Sequence, residues 1–220
     1  MQQLNINELK PHPRNNEFFD DMTGDAWEAF KESIKTSGII EPIVVTKDMT
    51  IISGHQRYKA AKELGIKMIP IRIREDLIDE DKKLKVLLAA NFGRSKNDDA
   101  KQRKVAVEYV RLCGYGQGGD RKSNCQLGSL KLSDIANQLG TSERNLARAL
   151  SIERNLTESM KELLDTGVIS KTVASDVITS LSKDEQEELI KSMDITKKIT
   201  QKEVQQYINE IKQLKQIIQK

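Results

Sequence analysis

Residues 131–156, KLSDIANQLGTSERNLARALSIERNL, constrain the fold more than any other stretch of the chain. Apolar residues recur there at helical spacing in two segments, and Gly140 lies between them, where a sharp left-handed turn favours glycine. Ala136 is small, as two steeply crossing helices require at their closest approach. The apolar faces of the two segments fall at Ile135, Ala136, Leu139, Leu146, Ala149 and Leu150. The spacing predicts a helix–turn–helix.

In a helix–turn–helix the second helix enters the DNA major groove by its N-terminal end. The candidates for DNA contact at that end are Ser142, Glu143, Arg144, Asn145 and Arg148. Arginine reads guanine, asparagine reads adenine, and glutamate accepts a hydrogen bond from cytosine. Residues 101–156 hold ten Lys or Arg against five Asp or Glu, a local charge of +5 in a chain of net +3. Ordinary antiparallel surface helices are the alternative, but the concentrated positive charge favours contact with phosphate.

Strand patterns are confined to the first hundred residues. PIVVT and IIS read as short buried strands, and KMIPIRIRED alternates isoleucine with arginine as a half-buried strand does. Helices are predicted at 23–39, 58–65, 79–90 and 98–113, and the pattern after residue 98 is helical throughout. The predicted fold class is α+β, with a small N-terminal domain followed by an all-α domain. The predicted segments are 1–97, 98–193 with the glycine-rich loop 114–129, and a C-terminal helix at 194–220.

Two segments of the helical half leave alternatives open. Arg121 and Lys122, in the string GGDRKS, are positioned to touch DNA phosphate from a loop, or they belong to a solvated linker. The last helix carries a heptad seam, which favours dimerisation or a helix packed back on its own domain. The seam residues are Val204, Tyr207, Ile211, Leu214 and Ile218.

Composition narrows the function classes. Aromatic residues make up 4% of the chain, too few for a stacking platform that binds single-stranded nucleic acid. Cys113 and Cys125 are two separate thiols far from both histidines, which argues against a zinc site and a disulfide. No stretch approaches 18 consecutive apolar residues, and no signal-peptide core is present, so a cytoplasmic location is expected.

The turn SGHQRYKAA places glycine and several polar or cationic side chains where a strand enters a helix. Free N–H groups and the positive end of a helix attract anions, and glycine lets a phosphate approach the backbone. The candidate ligands of a nucleotide are Ser53, Gly54, His55, Gln56 and Arg57. A solvated helix start is the plain alternative.

The order of these elements resembles the ParB family of DNA-partitioning and DNA-clamp proteins. FKESIKTSGIIEPIVV is similar to the family's helix and Gln-Pro strand, with Glu41 in place of the Gln. GHQRYKAAKELG resembles the Gly-Glu-Arg-Arg-x-x-Ala-Ala box, NFGRSKNDDAKQ resembles the Glu-Asn-x-x-Arg box, and LKPHPRNNE resembles the first box. The variant is most similar to the ParB-like proteins of plasmids, phages and other mobile elements, and its fold is expected to be the ParB/sulfiredoxin-like one.

The resemblance implies a homodimer that binds CTP with Mg²⁺ and closes into a clamp on double-stranded DNA. It adds Arg14, Asn91 and Arg94 to the expected nucleotide ligands and makes Asn91 the expected metal ligand. Ala90 stands where the family has a glutamate, and alanine cannot ligate Mg²⁺, so at most weak CTPase activity is expected. The chain lacks the basic N-terminal tail that engages a partner ATPase, which argues against that partner.

The expected role is therefore a DNA-binding protein, switched by CTP, in plasmid or chromosome partition or mobile-element regulation. A site-specific repressor that ignores nucleotide is the first alternative. A metal-dependent nuclease is the second, although Asp98 and Asp99 are adjacent at a helix start and fit an N-cap better. A sulfiredoxin-like reductase fails because Ser53 and Gly54, and no cysteine, precede His55.

Overall fold

The computed structural model describes residues 2–93, 99–115 and 130–218, with the side chains of the last helix described through residue 211. The chain divides into two compact units. The first comprises residues 1–129 with 138–140, and the second comprises residues 130–137 with 141–220.

A five-stranded mixed sheet forms the centre of the first unit. The strands follow the order β1-β5-β3-β4-β2, with β3–β5 and β2–β4 parallel and the other two pairs antiparallel. The three central strands are the predicted ones, whereas the two edge strands are too short and polar for the sequence pattern to reveal. The strands are β1 (Gln2–Asn5), β2 (Lys10–Pro11), β3 (Ile43–Thr46), β4 (Thr50–Ser53) and β5 (Met68–Arg74).

Five helices accompany this sheet within the described residues. The 14-residue α2 matches the predicted helix and ends at Gly38, where φ is +70°. The short α1 is not predicted by its sequence. A 3-10 turn at Ile6–Glu8 precedes the helices α1 (Asn15–Phe18), α2 (Gly24–Ser37), α3 (His55–Glu63), α4 (Glu80–Asn91) and α5 (Asp99–Leu112).

Helix α5 groups with the first unit, although the sequence places a boundary near residue 97. It packs against α4 and α1. Its Glu108 also receives a hydrogen bond of 2.8 Å from Nη1 of Arg14, just before α1. These contacts explain why the division falls after α5.

The core of the first unit is built on β3 and on its two neighbouring strands, β4 and β5. Ile43, Val45, Ile51 and Ile69 are fully buried and come from the three predicted strands. A second cluster joins α2 to α3 through Trp27, Ile34 and Ala60. This packing fixes the start of α3 against the end of β4, which positions the candidate site.

The second unit is helical throughout its described residues. Its core contains Met160, Ile169, Leu189 and Val204, all at most 1% exposed. Ser142, Thr157, Ser170 and Ser182 each cap a helix by accepting from the backbone N–H three residues later. The helices are α6 (Leu132–Leu139), whose last two residues group with the first unit, α7 (Glu143–Asn155), α8 (Glu158–Asp165), α9 (Lys171–Asp176), α10 (Lys183–Ser192) and α11 (Gln201–Ile218), with a 3-10 turn at Ile178–Ser180.

Helix α11 packs on its own unit along its first three turns. Val204 is fully buried, Ile208 is 6% exposed, and Tyr207 and Ile211 pack against the same cluster. Through Ile211, α11 therefore follows the second interpretation of the heptad seam, a helix packed back on its own domain. Because Val204 is buried in this packing, it is not available to a second chain. The side chains of Leu214 and Ile218 lie outside the described residues. Across the described ranges, every helix is too short or too polar to cross a membrane.

Candidate functional site

The site begins at Gly54, between the end of β4 and the start of α3. Its φ of 105° and ψ of 22° lie in the left-handed region. A Cβ atom at this position would lie 3.3 Å from Nε and Nη2 of Arg57 and from a side-chain carbon of Ile43. Both the backbone conformation and the close approach of Arg57 require glycine here. The first N–H groups of α3 have no partners within the helix, so this turn presents donors and a positive helix end.

A cavity of about 750 Å³ opens at this turn. Gly54, His55, Gln56 and Arg57 line it, together with Asn91 at the end of α4. The size falls in the range of small-molecule sites, and such sites combine apolar walls with a few oriented polar groups. The apolar part of the lining consists of Phe19, Met22, Phe30, Ile34, Ile39 and Ile40. The lining therefore combines apolar side chains with polar groups, three carboxylates and one guanidinium.

Arg57 is held at the rim by the segment that leads into β3. Its Nη1 donates to the backbone oxygen of Glu41 at 2.5 Å and to that of Pro42 at 3.3 Å. The same nitrogen lies 3.2 Å from Oε2 of Glu41. The Arg57 side chain is 14% exposed, whereas that of Glu41 is 75% exposed. A mostly buried guanidinium thus faces a mostly solvated carboxylate.

The loop before α2 is fastened to α3 across the cavity. Gln56 accepts from the backbone N–H of Met22 at 3.2 Å and donates to Oδ1 of Asp21 at 3.0 Å. Lys59 Nζ lies 3.0 Å from Oδ2 of Asp21. Burial opposes ionisation of Asp21, but the hydrogen bonds from Lys59 and Gln56 outweigh it and lower its pKa. The loop that walls the cavity is therefore anchored by a charged hydrogen-bond network.

The two histidines of the chain are linked behind this turn. The backbone N–H of His12 donates to Nε2 of His55 at 3.3 Å, and the backbone N–H of Arg14 donates to Nδ1 of His12 at 3.2 Å. Burial, with a smaller contribution from His12, lowers the pKa of His55 to about 4. Both rings act as acceptors in the neutral form, so His55 brings no positive charge to the cavity at pH 7.

The remaining predicted nucleotide ligands lie elsewhere. Ser53 is buried in β4 next to the lining, and Arg94 falls outside the described residues. Arg14 does not line the cavity, because its guanidinium pairs with Glu17 and Glu108 at 2.8 Å each. Within the expected set, the structure therefore brings together residues 54–57 and Asn91.

Asn91 does not make a convincing metal site by itself. Its Nδ2 donates to the backbone oxygen of Leu87 at 2.8 Å, which leaves one neutral amide oxygen for a ligand. In the residues described, no group of three or more His, Cys, Asp or Glu could hold a metal ion. Among the described residues, Asn91 itself offers a metal only this neutral oxygen, whereas Mg²⁺ prefers carboxylate and water oxygens. Of the two aspartates that the nuclease alternative names, Asp98 lies outside the described residues and Asp99 begins α5.

Helices α6 and α7 occupy the segment predicted as a helix–turn–helix, with a φ of +70° at Gly140 between them. Glu143, Arg144 and Asn145 are exposed on the first turn of α7. Ser142 is also exposed, but its hydroxyl accepts from the backbone N–H of Asn145 at 3.2 Å as the N-cap. Arg121 and Lys122 lie outside the described residues.

Arg148, the last DNA candidate on α7, already has a partner. Its Nη2 lies 3.5 Å from Oδ1 of Asp176 at the end of α9. A hydrogen bond from Ser175 and the charges of Arg148 and Arg144 lower the pKa of Asp176. The sequence gives no signal for this partner, since 28 positions separate the two residues. For Glu41, the sequence signal is its position two residues before β3, where the resembling family has a glutamine.

Comparison with known proteins supplies the family context. Residues 1–92 match the model of the ParB N-terminal domain. The stage 0 sporulation protein J of Bacillus subtilis is 24% identical over 217 residues, covering 97% of this chain and 69% of that protein. A probable chromosome-partitioning protein ParB of Vibrio cholerae is 28% identical over 170 residues, covering 74% of this chain and 50% of that protein.

A solved structure resembles the whole chain. It is the C-terminally truncated chromosome-partitioning protein ParB of Caulobacter crescentus, complexed to the centromeric parS site. Its TM-score is 0.62 at 18% identity, covering 96% of this chain and 100% of that one. The likeness shows a shared fold, an α+β N-terminal domain with a helical domain after it.

Proposed function

We propose that this chain, whose first 92 residues match the ParB N-terminal domain, is a ParB-like DNA-binding protein that binds CTP at the start of α3. It would act in the partition of a plasmid or chromosome, or in the regulation of a mobile element. Two of the proteins named above, from Vibrio cholerae and Caulobacter crescentus, are described as chromosome-partitioning proteins, which supports the first of these roles.

The observation that carries the proposal is the cavity at the N-terminus of α3. Its apolar side chains offer a surface for a base, and the start of α3 brings Gly54, helix N–H groups and the Arg57 guanidinium to the same cavity. Anions bind at such helix starts because the amide groups and the helix dipole both favour negative charge. A nucleoside triphosphate matches this distribution of apolar and cationic groups. With Ala90 in place of a glutamate, the proposal covers binding and not hydrolysis.

The proposed DNA-binding surface is the first turn of α7. Glu143, Arg144 and Asn145 are exposed there, and each type of side chain can read a base edge. Arg148, oriented by Asp176, would contact phosphate beside them. Two copies of the chain would place two such helices on neighbouring half-sites of one DNA duplex. Phosphate contacts of this kind make the affinity fall with rising salt.

Calorimetric titration with CTP, with ATP and GTP as competitors for the same site, tests the nucleotide part. The proposal predicts selective CTP binding that Arg57→Ala abolishes and the control Arg72→Ala, an exposed arginine on β5, preserves. A folded protein that binds DNA but no nucleotide would contradict it.

A repressor that ignores nucleotide is the second candidate, and one observation favours it. The guanidinium of Arg57 already faces the carboxylate of Glu41, as it would in a pocket that no longer takes a phosphate. That candidate predicts the same DNA affinity with and without CTP, whereas the first predicts that CTP changes the affinity or lifetime of the DNA complex.

A further inference from the structure

Arg57 is the only lysine or arginine among the described residues that line the cavity. Three carboxylates share that lining, at Asp20, Asp21 and Glu41. Asp21 is bound by Lys59 and Gln56, and Asp20 pairs with Lys101 of α5. Glu41 differs from the other two, because its partner is the cation that an anionic ligand would need.

The position of Arg57 does not depend on the Glu41 carboxylate. The backbone oxygens of Glu41 and Pro42 both accept from Nη1, and any residue at position 41 would supply the first of them. Nε and Nη2 lie on the side of Gly54 where a Cβ would be, at 3.3 Å from that position, so the other edge of the guanidinium packs beside the glycine. Removing the carboxylate therefore leaves the arginine oriented and takes away only a negative charge.

From this geometry we propose that the Glu41 carboxylate competes with the ligand's phosphate for Arg57. Because a ligand must displace this carboxylate to reach Arg57, the cavity selects ligands by charge. A ligand with a triphosphate replaces the carboxylate at Arg57. An uncharged nucleoside cannot replace it and gains nothing from its removal. This inference deepens the proposed nucleotide site and rests on it.

The exposure of the pair sets the expected size of the effect. A carboxylate that is 75% solvated and 3.2 Å from its partner forms a weak ion pair. Because the interaction of two unit charges in water-like surroundings is modest, its loss should change affinity by about fivefold. A competitor of this strength weakens phosphate binding without preventing it.

The test compares Glu41→Gln with the wild-type chain by calorimetric titration, using CTP, cytidine and inorganic tripolyphosphate as three separate probes. Glutamine keeps the size and removes the charge. Glu32→Gln is the matched control, because Glu32 is an exposed α2 carboxylate paired with Lys35 and outside the cavity lining. The inference predicts that E41Q binds CTP and tripolyphosphate about fivefold more tightly, that cytidine binding is unchanged, and that E32Q matches the wild type.

The other outcomes separate the two claims. If the wild type binds CTP and E41Q binds it equally or more weakly, the competitor role is wrong and the nucleotide site stands. Weaker CTP and cytidine binding together would make Glu41 a direct ligand of the nucleoside. If neither protein binds CTP in a folded state, confirmed by thermal unfolding, the proposed site and this inference both fail.

Discussion

At the scale of single residues, the candidate site depends on Gly54 and His55, one through its backbone conformation and the other through its protonation state. Gly54 is required by its left-handed backbone and by the guanidinium packed against it. His55 is kept neutral by burial and by the neighbouring His12, so the positive charge of the site comes from Arg57 and the helix end. Each of the two positions leads to a testable prediction about the stability of the chain, and Gly54 also leads to one about CTP binding.

Gly54→Ala should destabilise the chain by about 1–2 kcal/mol, because a residue with a Cβ atom is strained in the left-handed conformation. It should also weaken CTP binding, since the added Cβ would crowd Arg57 at 3.3 Å. Gly65→Ala is the control, with a φ of +69° but open space around it. Both variants should lose stability in urea denaturation, and only G54A should lose CTP affinity. Wild-type affinity in G54A would refute this account of the turn.

Stability should fall on acidification between pH 6.5 and 4. The native state holds the pKa of His55 at about 4, below its ordinary 6.5, so the unfolded state binds more protons in this interval. The free energy of unfolding contributed by His55 is complete above pH 6.5 and is lost as the pH falls towards 4. NMR titration of the ring should give a midpoint near 4, and His55→Gln should flatten the pH dependence. A midpoint near 6.5 would contradict the buried, neutral ring.

At the scale of elements, α3 and α7 use their N-terminal ends in different ways. Helix α3 begins after a glycine without a side-chain cap, which leaves its first N–H groups open to a ligand. Helix α7 begins with Ser142 as a cap and exposes charged side chains beyond it. The cap is the established contact of Ser142, and its DNA contact remains a prediction.

Ser142→Ala should cost about 1 kcal/mol of stability, as the loss of a helix N-cap does. Ser142→Asp keeps a capping oxygen, so its unfolding free energy should stay near the wild-type value. The added negative charge should nevertheless weaken DNA binding if this end of α7 lies near phosphates. Ser170→Ala, which removes the cap of α9, serves as a control for stability alone. Urea denaturation and fluorescence anisotropy with labelled DNA measure the two effects, and unchanged DNA affinity in S142D would place the DNA surface elsewhere.

At the scale of the whole molecule, the sequence predicts the helices and strands that have a regular apolar spacing, but it does not predict individual side-chain contacts. The central strands, the long α2 and the helices of the second unit follow from spacing, caps and glycines. The edge strands β1 and β2 are missed because they have only four and two residues, too few to show an apolar period. The motif boxes locate the turn at Gly54, but they do not show that Glu41 faces Arg57 or that Arg14 pairs with Glu108. Such pairs depend on tertiary structure that no local pattern records.

The last prediction concerns whether α11 packs on its own chain or in a dimer. Val204 is fully buried in the core of the second unit, so Val204→Ala should cost about 2–3 kcal/mol through lost burial and a residual cavity. Gln205→Ala, the exposed neighbour, should change stability by less than about 0.5 kcal/mol. Because this packing lies within one chain, the effect should be the same at low and high protein concentration. A loss that grows on dilution would show that Val204 packs in a dimer instead.

The central claim is that CTP occupies the cavity at the start of α3, and mapping amide chemical shifts by NMR during a CTP titration tests it most directly. The account predicts that the largest changes fall on the amides of residues 54–57 and 38–41, which line the cavity. It predicts small changes for α7 in the absence of DNA. Saturable CTP binding whose shifts lie outside the cavity lining, or no shifts at millimolar CTP, would contradict the account.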